Sequence, residues 1–333
     1  MKPFQIITGA NYSVGFESWR HSEAFIHIDD DPLYGPFGRA YYPAVFEDRR
    51  CDTSFAVTDA GSPLAIVQCT RGIDELDYYG APVRLFLRDG LGARDAEPAI
   101  ATAFAQLDNL AGEDRSRRVT IRDDGSLGAL STVGKQCLNR RAAGALRLTG
   151  LCALDRGETG MRRGLRKSFQ SLVNWGRRNL KLVSVNAANP DAELFKSYQA
   201  FHADVAGRVT RSEQSWTAMF DWIACGRGEL ILGYLNSDEL VTGTLVVDGI
   251  ISSFYASGVY DRARFHQPLG HWPLWLAMVH SSARGKSVFT LGDLPLAGAA
   301  SEKEIAIGYF KRGFATEIQT WIAWSWNAAT KLT

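Results

Sequence analysis

The stretch SEKEIAIGYFKRGFA, residues 301–315, places two cations inside an aromatic segment near the end of the chain. Lys311 and Arg312 follow Tyr309 and Phe310 and precede a further phenylalanine. A lysine packed beside large aromatic side chains loses hydration, which disfavours its charged form. A cation held in this way is useful when something anionic arrives beside it. Lys311 is therefore the first residue to which a chemical role can be assigned.

The motifs of several common enzyme classes are absent from the sequence. It contains no GxSxG elbow, no GxxxxGK[ST] phosphate loop, no HExxH motif and no glycine-rich turn of a dinucleotide fold. His266 and His271 lie near each other, but their spacing is awkward for two metal ligands on one helix. The sequence disfavours a serine hydrolase, a nucleoside triphosphatase and a zincin, and it predicts no metal site.

A second candidate site is the turn QPLG, residues 267–270, which joins an aromatic strand to the start of a helix. Exposed N–H groups and the helix dipole at such a place favour a phosphate or a developing oxyanion. The turn resembles the Q/RxxGxG/A turn with which GCN5-related N-acetyltransferases (GNATs) hold the pyrophosphate of acyl-coenzyme A, although Trp272 stands where that pattern has glycine or alanine. We predict that Gln267, Gly270 and His271 bind the donor.

A strongly basic segment, ETGMRRGLRKSFQSLVNWGRRN at residues 158–179, predicts one amphipathic helix between the two halves. Like charges one turn apart repel each other unless an anion lies between them, so a phosphate-bearing ligand is one explanation and a solvated helix face is the other. Arg166 and Lys167 are the predicted donor-binding cations. The segment contains six cations: Arg162, Arg163, Arg166, Lys167, Arg177 and Arg178.

The elements that must position these residues occur twice along the chain. Each half contains an antiparallel meander whose third strand is aromatic, then a helix, then a short strand that ends in aspartate. The aromatic strands end in DYYG and FYASG, and the final strands are RRVTIRDD and KSVFTLGD. We predict one α/β unit used twice, with domains at residues 1–155 and 156–333.

Length and composition agree with two domains. The chain has 333 residues, of which 46% are hydrophobic, and this exceeds the usual size of one core. A formal net charge of +1 gives no global field for polyanions, so we expect no stable DNA binding. The five cysteines are scattered, and no leader or membrane-spanning segment is apparent. These features predict a cytoplasmic protein.

The order of motifs in the second half resembles that of the FemAB-like transferases. The matching stretches are LRKSFQSLVNWGRRNLKL, FHADVAGRV, SFYASGVYDRARFHQPLGHWPLWLAM, FTLGD and EIAIGYFKRGFATEI. The first half matches in layout only, and the long coiled-coil arm of some bridge-forming members is absent. The resemblance implies an α/β fold of two GNAT-like domains in tandem, with mixed, mostly antiparallel sheets flanked by helices and most of the site in the second domain.

The resemblance also implies roles for individual residues. A Phe-Lys pair near the C-terminus of these enzymes lies at the catalytic cleft, and Phe310 and Lys311 stand at the matching place. Amide formation creates a negative oxygen that a donor or cation must stabilise, which is the role expected for Lys311. Asp293 is the first candidate to receive the amine proton, and Tyr255 is expected to orient the acceptor or relay a proton.

The implied function is N-acyl or aminoacyl transfer to an amine on a cell-envelope or surface-glycan precursor. The expected co-substrate is acyl-coenzyme A or aminoacyl-tRNA, with no tightly bound cofactor. The expected acceptor is an amine-bearing sugar or a peptidoglycan-type molecule, with tRNA as a partner and a peripheral association with membrane-bound precursors. The alternative is a non-catalytic GNAT-fold protein of polysaccharide assembly, in which tryptophans stack on sugars: Trp216, Trp222, Trp272, Trp275, Trp321, Trp324 and Trp326.

Overall fold

The structure is a computed structural model that describes residues 4–46, 49–113, 116–125, 129–236, 238–296, 298 and 300–328. The helices are α1 (Gly9–Arg20), α2 (His27–Asp30), α3 (Pro36–Phe46), α4 (Ala93–Gly112), α5 (Thr132–Asn139), α6 (Gly157–Gly164), α7 (Lys167–Asn179), α8 (Ala192–Ala206), α9 (Glu213–Ala224), α10 (His271–Ala283) and α11 (Glu302–Arg312). The strands are β1 (Gln5–Thr8), β2 (Cys51–Asp52), β3 (Phe55–Asp59), β4 (Ser62–Gln68), β5 (Thr70–Arg71), β6 (Glu75–Asp77), β7 (Arg84–Leu87), β8 (Arg118–Asp123), β9 (Ala143–Ala153), β10 (Lys181–Val185), β11 (Gly228–Leu235), β12 (Glu239–Asp248), β13 (Ser252–Tyr260), β14 (Val288–Asp293) and β15 (Glu317–Asn327).

The chain forms two compact units. The first comprises Met1–Asp29, Phe46–Arg147 and Thr320–Thr333, and the second comprises Asp30–Val45 and Leu148–Gln319. The predicted domain boundary after residue 155 stays a prediction. Across the described residues, no helix is both long enough and apolar enough to cross a lipid bilayer.

The first unit contains an antiparallel sheet in the order β1-β3-β4-β7 and a second group of strands around β8. Strand β8 pairs antiparallel with β15 and parallel with β6. Helix α4 packs Phe104 and Leu107 against strand residues such as Val57 and Val119, and all four side chains are fully buried. The core of this unit therefore lies between α4 and its strands.

In the second unit, strands β10, β11, β12 and β13 form an antiparallel series, followed by β14, which is parallel to β13. Successive residues of β11 enter different cores, because side chains alternate between the faces of a strand. Ile231 packs with residues of α7 and α10, whereas Leu230 and Leu232 pack with residues of α8 and α9. Each face of the sheet is thus covered by helices.

The predicted order of meander, helix and strand is visible in both units, but the segment that ends in DYYG is not the third strand of the first meander. Strand β4 pairs with β7, whereas β6 pairs with β5 and β8. In the second unit the meander β11-β12-β13 is followed by α10 and then by β14, which pairs parallel with β13. In the first unit the strands β3, β4 and β7 are followed by α4 and then by β8, which pairs parallel with β6. The α/β class with mostly antiparallel sheets is therefore confirmed in both units.

The prediction of one continuous basic helix over residues 158–179 is wrong. The segment forms two helices, α6 and α7, because Leu165 and Arg166 between them adopt extended ψ angles of 143° and 131°. The N–H of Arg166 donates to the carbonyl of Gly313 at 2.9 Å instead of continuing the helix. The apolar face of the predicted amphipathic helix is still buried in the two shorter helices, since Met161 in α6 and Phe169 in α7 are both buried. The long-range hydrogen bond between Arg166 and Gly313 therefore interrupts the helix that the local sequence pattern predicts.

A buried ion-pair network joins β11, β12 and α10 in the second unit. Glu229, almost fully buried, accepts hydrogen bonds from His280 at 2.9 Å and Arg284 at 3.1 Å. Arg284 also donates to the buried carboxylate of Asp248 at 2.7 Å. Burial raises the pKa of Glu229, but the hydrogen bonds from His280 and Ser184 and the charge of Arg284 outweigh it, so the pKa is lowered. The two carboxylates share one guanidinium group, that of Arg284.

Substituting Arg284→Ala is expected to lower the free energy of unfolding by about 3–5 kcal/mol, because it leaves two buried carboxylates without their shared cation. Urea denaturation at neutral pH measures this loss. The matched control is Arg156→Ala, whose exposed pair with Glu317 at 3.0 Å should contribute less than about 1 kcal/mol. The lowered pKa of Glu229 stabilises the fold above pH 4.5, and this contribution disappears as the pH falls. Equal losses for the two variants would contradict the prediction.

Candidate functional site

The site lies in the second unit, where two parallel strands part. Strands β13 and β14 pair through three positions and their register ends at Phe254 and Thr290. Beyond that point β13 continues to Tyr260 along β12, whereas β14 continues to Asp293 along β9. The strands therefore open a gap at their carboxyl ends, which is where ligands bind in open α/β sheets.

Lys311 enters this region from the last turn of α11. Its ammonium nitrogen lies 3.5 Å from the backbone carbonyl oxygen of Asp293, at the end of β14. Burial lowers the pKa of Lys311 from 10.5, and the negative charge of Asp293 acts in the opposite direction. The helix begins with a capping box between Ser301 and Glu304, which fixes its first turn. The structure thus presents a half-buried cation to the end of β14.

Gly292 makes room for this cation. Its φ angle is +81°, a conformation that side-chain-bearing residues rarely adopt. A Cβ atom at this position would lie 3.1 Å from the Lys311 nitrogen and 3.7 Å from the ring of Phe254. The glycine of the LGD segment therefore allows the lysine to reach the strand.

Asp293 contacts Lys311 through its backbone and not through its carboxylate. The residue is exposed, and the hydrogen bond from Lys311 ends on its carbonyl oxygen. The carboxylate acts on the lysine only through its charge, which raises the lysine pKa. Its exposed position leaves it accessible to a proton from a bound amine, which is the role predicted from the sequence.

Tyr255 has a partner that the sequence did not predict. Its hydroxyl group forms a hydrogen bond with the hydroxyl group of Tyr260. Two glycines leave space for this pair: a Cβ at Gly258 would lie 1.7 Å from the Tyr255 hydroxyl oxygen, and one at Gly270 would lie 2.5 Å from the Tyr260 ring. Only glycine fits at positions 258 and 270 with the tyrosine pair in this arrangement.

Both hydroxyl groups remain protonated at neutral pH. Burial raises the pKa of Tyr260 to about 12 and raises that of Tyr255 well above 10. A protonated tyrosine can donate a hydrogen bond to a substrate, but it cannot act as a phenolate base. The pair is therefore suited to orienting a substrate.

Phe310 is the centre of an aromatic cluster between α7, α10 and α11. Its ring meets His271 edge to face at a centroid distance of 5.1 Å, and Tyr260 at 6.2 Å. Phe169 contacts the His271 ring at 4.6 Å. Burial lowers the pKa of His271 to about 4, so the imidazole is neutral. The cluster joins Phe310, His271 and, through Tyr260, Tyr255.

The two predicted donor-binding cations differ in their surroundings. The guanidinium carbon of Arg166 lies 3.8 Å from the ring centroid of Tyr309 and 4.9 Å from that of Phe169. Its Nη1 atom is buried and has no hydrogen-bond partner within the described part of the chain. Lys167, the first residue of α7, is exposed to solvent. Arg166 therefore belongs to the aromatic cluster, whereas Lys167 faces water.

The turn before α10 offers few donors to a pyrophosphate. Three of its N–H groups donate within the turn: Gln267 to the Arg264 carbonyl at 2.8 Å, Leu269 to the Gln267 carbonyl at 2.9 Å, and His271 to the Pro268 carbonyl at 3.3 Å. Pro273 has no N–H, so Trp272 alone can supply a free donor in the first three positions of α10. The N–H of Gly270 likewise makes no backbone hydrogen bond among the described residues. The turn therefore leaves two N–H groups, those of Gly270 and Trp272, for the pyrophosphate of coenzyme A.

The described residues contain no group of three or more His, Cys, Asp or Glu side chains placed to hold a metal ion.

Of the residues predicted from the sequence, the structure brings together Lys311, Phe310, Tyr255, His271 and Gly270. Asp293 joins them through its carbonyl, and Arg166 through Tyr309 and Phe169. Among the described residues, neither Lys167 nor the side chain of Gln267 forms a hydrogen bond or ion pair with them.

Comparison with known proteins identifies the fold. No family model matches the chain, and neither does any curated protein sequence. Among solved structures, FemX superposes with a TM-score of 0.62 at 12% identity and covers 88% of this chain and 92% of its own. A tandem GNAT protein from the clavulanic acid biosynthesis pathway gives a TM-score of 0.58 at 15% identity, covering 98% of this chain and 99% of its own.

A third similar structure is L-PGS from Bacillus licheniformis, with a TM-score of 0.53, 10% identity and 85% coverage of both chains. Identities this low reflect a shared backbone architecture. The sequence prediction of two GNAT-like domains in tandem is confirmed at the level of the fold. The chain shares its fold with FemX and with the tandem GNAT protein.

Proposed function

We propose that this protein is an amide-forming acyltransferase that moves an acyl or aminoacyl group to an amine of a cell-envelope or surface-glycan precursor. The observation that supports it most strongly is the half-buried Lys311 beside parting parallel strands, next to Gly292. A desolvated cation at the mouth of a cleft is typical of a catalytic site. The tandem GNAT fold agrees with this activity.

The chemistry follows from the charges at the site. The uncharged amine of the acceptor attacks the carbonyl carbon of the donor, forming the new C–N bond. The carbonyl oxygen becomes negative, and the Lys311 ammonium stabilises it until the ester or thioester bond breaks and the leaving group departs with its electron pair. The amine proton passes to the exposed carboxylate of Asp293 or to a phosphate of a substrate.

The tyrosine pair and the aromatic cluster position the reactants. Because Tyr255 and Tyr260 remain protonated, their hydroxyl groups orient a polar group of the acceptor and do not remove its proton. The ring of Phe310 holds Lys311 at the end of α11 through its contacts with His271 and Tyr260. Orientation of this kind lowers the barrier by holding the reactants in the productive geometry.

Between the two donors expected from the sequence, the structure favours the aminoacyl ester of an RNA. Three N–H groups of the turn before α10 are engaged internally and Pro273 has none, so a coenzyme A pyrophosphate has few partners there. The basic helices α6 and α7 instead offer cations to an RNA backbone. Acyl-coenzyme A remains the competing donor in the test below.

The tryptophans do not favour the alternative of a sugar-binding protein. A sugar-stacking surface needs exposed rings. Five of these tryptophans are buried, none more than 8% exposed: Trp216, Trp275, Trp321, Trp324 and Trp326. Trp222 and Trp272 are half-buried and pack against core residues. Stacking on sugar therefore has little support, and a catalytic role explains the buried lysine better.

Substituting Lys311→Ala should lower the transfer rate about 100- to 1000-fold, because the developing oxyanion loses its cation. The assay incubates the purified protein with radiolabelled mixed aminoacyl-tRNA, or with acetyl-coenzyme A, and a panel of amines that includes amino-sugar nucleotides and a lysine-containing stem peptide. Labelled amide product is measured. Absence of product from the unaltered protein with every donor would contradict the proposed activity, as would full activity of the variant.

The pH dependence of transfer should report the ionisation of Lys311. Since burial lowers its pKa from 10.5, activity should fall with rising pH below that value. Asp293→Asn removes the charge that raises the lysine pKa, so the alkaline fall should move to lower pH. Lys311→Arg is the control, because its guanidinium stays charged and the fall should vanish from the accessible range. An alkaline limb that is identical in all three proteins would assign it to another group.

Substituting Tyr260→Phe tests the tyrosine pair. The change removes the partner of the Tyr255 hydroxyl but keeps the ring that packs against Phe310 and Gly270. We expect kcat to fall by about tenfold, the equivalent of one hydrogen bond, with little change in thermal stability. Tyr234→Phe, on strand β11 of the same sheet, is the matched control. Unchanged kcat in Tyr260→Phe would show that the pair has no part in positioning.

A further inference from the structure

Strands β7 and β8 of the first unit part in the same way as β13 and β14 of the second. A single parallel bridge joins Val83, just before β7, to Ile121 in β8, and the N–H of Arg122 donates to the Val83 carbonyl at 3.0 Å. Beyond this bridge β7 pairs with β4, whereas β8 pairs with β15. The first unit therefore also opens a gap at the carboxyl ends of two parallel strands, where ligands bind in open α/β sheets.

Two arginines are the first residues beyond the bridge, one on each strand. Arg84 follows Val83, and Arg122 follows Ile121. Their side chains are largely buried, with 18% and 16% of their surface exposed. Both guanidinium groups bind the same carboxylate, that of Asp124, which the Nε atom of Arg122 contacts at 2.7 Å. Among the described residues, no second carboxylate pairs with either arginine, so two cations share one anion in the gap.

Aromatic side chains hold both guanidinium groups in place. The central carbon of Arg84 lies 5.3 Å from the ring centroid of Phe86, and that of Arg122 lies 4.7 Å from the ring centroid of Trp321. Both rings are buried. Stacking on an aromatic face orients a guanidinium group and leaves its in-plane N–H groups available to acceptors. The rings therefore fix the positions of the arginines without satisfying their donors.

Arg84 retains a buried donor that no atom in the described part of the chain accepts. Its Nε atom is shielded from solvent and has no hydrogen-bond partner there, whereas its Nη1 atom contacts Asp124. A buried donor without a partner is costly, most of all on a charged group. An arginine presents its N–H groups as a planar fork that matches the oxygens of a carboxylate or a phosphate. An oxyanion in the gap would both satisfy this donor and balance the second guanidinium group.

We propose that the gap between β7 and β8 binds the carboxylate or phosphate group of a small ligand, whose oxygens accept hydrogen bonds from Arg84 and Arg122. An uncharged or cationic ligand would leave the excess positive charge unbalanced, so the site selects anions. The residues that carry this inference all belong to the first unit, whereas Lys311 and Tyr255 belong to the second. The inference therefore goes beyond the proposed function and does not rest on it.

The test observes the Nε–H groups by nuclear magnetic resonance in protein labelled with nitrogen-15 at arginine. Inorganic phosphate and acetate are titrated separately, with the ionic strength kept constant by sodium chloride. The Arg84 proton resonance should shift downfield and reach a plateau with at least one of the two anions, because its unpaired donor gains an acceptor. The anion that reaches the plateau at the lower concentration identifies the ligand as a phosphate or a carboxylate.

Two variants and a matched control separate a specific site from a general attraction of anions. Arg84→Lys keeps the positive charge but lacks Nε, so the affinity, followed on the Arg122 resonance, should fall roughly tenfold or more. Arg122→Gln should weaken binding as well, followed on the Arg84 resonance. Arg118→Gln is the control on the same strand, because Arg118 is 59% exposed and pairs with Glu75. It should leave the affinity unchanged.

Three results would overturn the proposal. The first is an Arg84 resonance that does not respond or does not saturate, and the second is an equal response of the Arg118 resonance, since either describes weak attraction to any cation. The third is an unchanged affinity in Arg84→Lys. Melting temperatures verify that the variants are folded, and through-bond correlations assign the Arg84 resonance in the unaltered protein without any variant. None of these results bears on amide transfer at Lys311, which is measured separately.

Discussion

The partial loss of hydration by the half-buried Lys311 is the constraint on which the site depends. An ammonium group loses favourable hydration when it is buried. Lys311 regains only a long contact with the carbonyl of Asp293 and the attraction of the Asp293 carboxylate. The cation is thus left undercompensated in the absence of substrate. A negative oxygen that develops during acyl transfer supplies the missing partner, which is why the cost of burial becomes useful in the transition state.

Three glycines make this arrangement geometrically feasible. Gly292 lets the lysine approach the end of β14, Gly258 leaves room for the tyrosine hydroxyl pair, and Gly270 accommodates the ring of Tyr260. Each forms part of a strand end or helix start whose packing places a functional side chain. Small side chains at these positions would therefore disturb the site before they disturb the core, because the affected neighbours are Lys311, Tyr255 and Tyr260.

The fold and the residues that follow a regular helical or strand pattern can be predicted from the sequence. Contacts that depend on a strand bulge or a helix break cannot. The repeat of meander, helix and strand can be recognised from hydrophobic periodicity, and the side chains of Asp191 and Ser212 cap α8 and α9 as residues of these types commonly do. The pairing of Tyr260 with Tyr255 was not predicted, because residues five apart on a regular strand face opposite sides of the sheet. The register between β12 and β13 shifts at Val246, opposite Tyr255, and this irregularity brings the two hydroxyls together. The break at Arg166 was missed for a similar reason, since its partner Gly313 lies far along the chain.

The central claim, a desolvated cationic lysine at the site, can be measured directly by nuclear magnetic resonance. Protein labelled with carbon-13 at the lysine ε position is titrated with base, and the Lys311 resonance is assigned by its disappearance in Lys311→Arg. The structure predicts that Lys311 titrates below 10.5 and before the exposed lysines, because burial disfavours its charged form. A Lys311 that titrates at or above 10.5 would be a hydrated surface cation, and the proposed role in oxyanion stabilisation would be contradicted.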